Sequence, residues 1–63
     1  MTPLTGIDIF ELAWKAELDC DYEPALVLYT AASELFEKEG RVMDVKTCFD
    51  RIAEIEQKMR ERR

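Results

Sequence analysis

The chain has 63 residues, 48% of them apolar and 37% charged, with a formal net charge of −5. A chain this short makes one domain and buries only about 60% of the surface its unfolded form exposes, so a few well-packed elements must carry the stability. The negative balance opposes a nucleic-acid backbone or an anionic lipid surface, and neither is expected as a partner. No secretory signal is read, because Asp8 and Glu11 interrupt the stretch that would have to be its apolar core. No segment approaches the roughly 20 apolar residues a membrane helix needs, so direct membrane insertion is not expected and the chain reads as cytoplasmic.

Residues 1–6 contain Pro3 and Gly6 and no usable periodicity, and Thr5 with Asp8 three positions later has the form of a capping box. Helix 1 is expected over about 6–19. Its apolar line is Ile9, Ala13, Ala16 and Cys20, with Phe10, Trp14 and Leu18 beside it. Asp21 is suited to cap the next helix, and Pro24 suits a first turn, where backbone N–H groups lack intrahelical partners.

Helix 2 is expected over about 22–39, with Tyr22, Ala25, Tyr29, Ala32 and Phe36 on one line and Leu28 and Leu35 adjacent. Leu26, Val27 and Ala31 widen that face, as expected of a central helix packed on two sides. Gly40 supplies the left-handed residue that ends helices. Helix 3, over about 43–61, has a buried line of Val45, Phe49 and Ile52 with Cys48, Ile55 and Met59. Lys46, Asp50, Glu54 and Gln57 fall on its solvent side. Short connections imply antiparallel neighbours, hence an all-α, up-down-up three-helix bundle. A weak internal repeat is visible at an offset of 20, relating Tyr22, Ala25, Tyr29, Ala32 and Leu35 to Val42, Val45, Phe49, Ile52 and Ile55.

Charge is unevenly placed, with a balance of −7 over residues 1–39 and +2 over residues 40–63. The acidic portion is expected to attract basic partners, although charge runs also serve simply to solvate helix faces. Histidine is absent, which removes the commonest general base and metal ligand. The run Asp19, Asp21, Glu23 resembles the opening of a calcium loop, but the glycine would fall on Pro24 and the closing acid on Thr30. No catalytic residue, metal or other cofactor is expected. Cys20 and Cys48 are expected to be free thiols at opposite ends of the bundle.

Residues 12–36 resemble two related helical-hairpin families, first the MIT (microtubule interacting and trafficking) domain and second the tetratricopeptide repeat. The resemblance rests on a turn ending in Asp21-Tyr22, followed by Ala25, Tyr29 and Ala32 at spacings of 3, 4 and 3. Ala13 with Glu17 on helix 1, and Val45 followed by Phe49-Asp50-Arg51-Ile52 on helix 3, lean toward MIT. The link around Gly40 is shorter than is usual there and suits a tetratricopeptide hairpin better.

The MIT resemblance implies a non-catalytic adaptor that binds the C-terminal tail of an ESCRT-III-type protein between helices 2 and 3. A monomer recruited to endosomal or other membranes through its partners is implied. Phe49 matches the family's groove-lining leucine, and Asp50 would meet a basic residue of the tail. Val45, Ala53, Ala31 and Glu34 are expected to complete the groove. The alternative expectation is a tetratricopeptide-like scaffold fragment, or a helical bundle that self-associates.

Overall fold

The structure, a computed structural model, describes residues 4–61 and contains α1 (Gly6–Leu18), α2 (Tyr22–Lys38) and α3 (Val42–Glu61). No strand occurs among the described residues. No helix is long and apolar enough to cross a membrane among them. The expected boundaries hold to within one residue.

The α1 start is the anticipated capping box: Thr5 N–H donates to Asp8 Oδ2 at 2.9 Å, and Asp8 N–H donates to Thr5 Oγ1 at 3.4 Å. Each satisfies a donor that the first helical turn leaves without a partner. Asp21 does occupy the position before α2, but its side chain makes no capping hydrogen bond. Its carbonyl accepts from Ala25 N–H at 3.1 Å instead.

The two inter-helix turns are built alike and stand 20 residues apart. Cys20 N–H reaches Glu17 O at 3.0 Å and Asp21 N–H reaches Ala16 O at 2.9 Å. Gly40 N–H reaches Glu37 O at 3.1 Å and Arg41 N–H reaches Phe36 O at 2.9 Å. Both are Schellman closures, with Cys20 at φ 62° and Gly40 at φ 75° in the left-handed position. Glycine takes that conformation freely, whereas cysteine does so at a steric cost.

Small residues set the packing. Ala13, Ala25 and Ala32 are fully buried, so the backbones of α1 and α3 approach α2 closely, and larger side chains fill the space beside them. One cluster joins Ala13, Ala25, Tyr29 and Ile55, and a second joins Ala32, Phe36 and Cys48. Phe10 links them, its ring centroid 5.3 Å from Tyr29 in an edge-on contact and 6.2 Å from Phe36. Gly6 beside Phe36 and Glu17 beside Tyr29 make α1 and α2 antiparallel. Phe36 with Cys48, and Leu26 near Met59, do the same for α2 and α3. The bundle is therefore up-down-up, with α2 central and the other two packed on it.

Several residues expected inside lie outside. Trp14 is 47% exposed, Val27 69% and Phe49 56%, and Leu18 and Cys20 are exposed as well. Each outer helix has only one close neighbour, so the far edge of a wide apolar face finds nothing to pack against. Cys48 is buried and Cys20 exposed, both as free thiols.

At the α1 start, Gly6 N–H donates to Glu39 Oε2 at 2.9 Å. A Cβ on Gly6 would sit 2.5 Å from Phe36 Cδ1 and 2.7 Å from Cε1, and that ring is buried and cannot swing aside. Two glycine exchanges of opposite sign follow. Gly6→Ala is expected to lower stability by about 1–3 kcal/mol through overpacking, despite the better helix propensity of alanine. Cys20→Gly is expected to raise it by up to ~1 kcal/mol, since relief of left-handed strain exceeds the added freedom of the unfolded chain. Urea denaturation of the two variants checks both signs.

Candidate peptide groove

Behind the surface lies one buried charged cluster. Glu17 stands one turn after Ala13 on the core side of α1 and is only 7% exposed. Its Oε1 accepts from Tyr29 OH on α2 at 2.7 Å, and Arg51 Nη2 on α3 lies 3.0 Å from both carboxylate oxygens. Lys58 Nζ is 3.9 Å from Oε2. Arg51 also donates to Glu54 at 3.4 Å. One carboxylate thus ties all three helices together.

Desolvating a carboxylate costs several kcal/mol unless it is paired and hydrogen-bonded, and here two hydrogen-bond donors, Tyr29 and Arg51, and the nearby Lys58 ammonium answer it. Among the described residues no buried side-chain nitrogen or oxygen is left without a partner. Burial first, and the hydrogen bond to Glu17 second, push the Tyr29 phenol up to about 12. The Tyr29 hydroxyl, and then Glu17, hold the Arg51 guanidinium above its ordinary value against the opposing effect of burial. Burial, helped by Asp44, raises the Cys48 thiol. No group of three or more His, Cys, Asp or Glu side chains that could hold a metal ion occurs among the described residues.

The α2–α3 side opposite α1 carries two open hollows that share Leu26. One of about 360 Å³ is lined by Leu26, Glu56, Met59 and Arg60 and lies between the helices. The other, about 410 Å³, runs along α2 past Leu26, Val27, Thr30, Ala31 and Glu34. Ala31 and Glu34 both line this second hollow, which α2 residues alone form. On α3, Val42, Val45, Phe49, Ile52, Glu56 and Met59 recur at spacings of 3 and 4 and form one stripe. Val45 is half-buried against Ala32, Phe36 and Cys48, while Phe49 stands exposed on the same stripe.

Asp50 and Ala53 are placed differently. Asp50 is exposed, falls about 100° around the helix from Phe49, and lies 3.9 Å from Lys46 of its own helix. Ala53 is exposed beyond the edge of the stripe. Neither residue lines the two hollows. Leu26, Glu56, Met59 and Arg60 were not anticipated as lining residues. The period of 3 and 4 running from Phe49 through Ile52 and Glu56 to Met59 was the signal that reaches two of them.

The edge of the groove is mainly acidic. Helical spacing puts Glu23, Glu34 and Glu37 on the side of α2 that carries Thr30, and Glu56 of α3 lines the first hollow with Leu26. Arg60 is the basic residue among those lining the two hollows.

Comparison with family models, with curated proteins and with solved structures found no match to this chain.

The buried cluster has a spectroscopic consequence. A raised phenol pKa means the folded state holds its proton more tightly, so the stabilisation is fully present below the unfolded value of about 10 and declines as pH climbs toward 12. In a Tyr22→Phe background, where Tyr29 is the sole tyrosine, phenolate absorbance should show a midpoint near 12 and alkaline loss of helicity across the same interval. A midpoint near 10 in the still-folded protein contradicts the buried Tyr29–Glu17 bond.

Proposed function

We propose that this domain is a non-catalytic interaction module that seats a short helical or extended peptide in the groove between α2 and α3. One observation carries the reading: Phe49 stands exposed on the α3 stripe whose far end, Met59, lines a hollow with Leu26. An exposed aromatic costs solubility and contributes nothing to the core, and apolar stripes rimmed by charge mark interaction surfaces. A fourth helix laid there would touch α2 and α3 together, reusing the packing that holds the bundle.

The groove's acidic edge favours a ligand with basic residues over an acidic one. A second copy's own α1, carrying Asp8 and Glu11, brings the wrong charge to that edge, which favours a monomer. The sequence resemblance to MIT domains points to the C-terminal tails of ESCRT-III-type subunits as ligands, with recruitment to endosomal or other membranes through them. The central position of α2 and the pairing of Glu17 with Arg51, two of the residues that carry the resemblance, are compatible with that assignment.

A second reading has its own support. The outer edge of α1 leaves Ile7, Trp14 and Leu18 exposed, as a repeat does where a neighbouring repeat would cover it. That favours a tetratricopeptide-like scaffold fragment or a self-associating bundle. Sedimentation separates the two, since a stable dimer at micromolar concentration supports the scaffold and a monomer supports the tail-binder.

Titration of the domain with basic ESCRT-III-type tail peptides tests the first reading directly. Phe49→Asp should fold normally, because the ring is largely in solvent, and should weaken binding by at least about tenfold, or roughly 1.4 kcal/mol. Absence of binding tighter than about 1 mM, or equal binding by the folded variant, overturns the proposal.

A further inference from the structure

We draw no further inference here: the strongest candidate, the exposed apolar stripe of Ile7, Trp14 and Leu18 along the outer edge of α1, carries nothing because nothing in the structure shows what covers it.

Discussion

The Glu17 carboxylate is the point on which the arrangement of the three helices turns. Apolar packing alone holds α1 to α2 and α2 to α3, through pairs that leave α1 and α3 flanking a common neighbour. Hydrophobic contact is non-directional, and by itself it leaves the outer helices free to slide and rotate. A buried carboxylate is different, because it must keep its donors at hydrogen-bond distance or bear the full cost of desolvation. By accepting from Tyr29 on α2 and Arg51 on α3, Glu17 fixes the rotation of each helix about its axis. The orientation of α3 in turn decides which side chains reach solvent, Phe49 among them.

A domain of this size cannot cover its own apolar surface, and the consequence is visible in where the uncovered residues fall. Both core clusters lie along α2, the one helix with neighbours on two sides. α1 and α3 each turn one apolar edge outward. On α3 that edge belongs to the stripe that ends at Met59, which lines a hollow together with Leu26, Glu56 and Arg60. The α1 edge has apolar area, and no α1 residue lines either of the two hollows. The asymmetry is why the functional reading rests on α3.

Most of the fold was legible in local sequence. Thr5 with Asp8, Pro24 and Gly40 marked helix starts and stops through backbone hydrogen-bonding requirements that do not depend on tertiary context. The alanine and tyrosine spacing of α2 identified the central helix. Less legible was how far each apolar face extends inward. Trp14, Leu18, Val27 and Phe49 satisfy helical periodicity as well as buried residues do, and only the number of neighbours distinguishes them.

The left-handed turn at Cys20 matches that at Gly40, but a cysteine gives no local sign of it. Of the expected groove residues, Ala31 and Glu34 line a hollow formed by α2 alone, Val45 and Phe49 line neither hollow, and Asp50 turned to its own helix. The Glu17–Arg51 pair spans 34 residues of sequence, and no periodicity reaches across two turns to announce it.

A double-mutant comparison of Arg51→Met with Glu17→Leu/Arg51→Met tests most directly whether this carboxylate governs the bundle. Removing Arg51 alone strands a buried charge, a change expected to cost about 3 kcal/mol or more, whereas removing both charges should restore most of that stability. The account predicts that the double variant melts well above the Arg51→Met single variant, with a coupling of at least ~1.5 kcal/mol. If Arg51→Met costs no more in the presence of Glu17 than in its absence, the buried pair does not hold the helices in place.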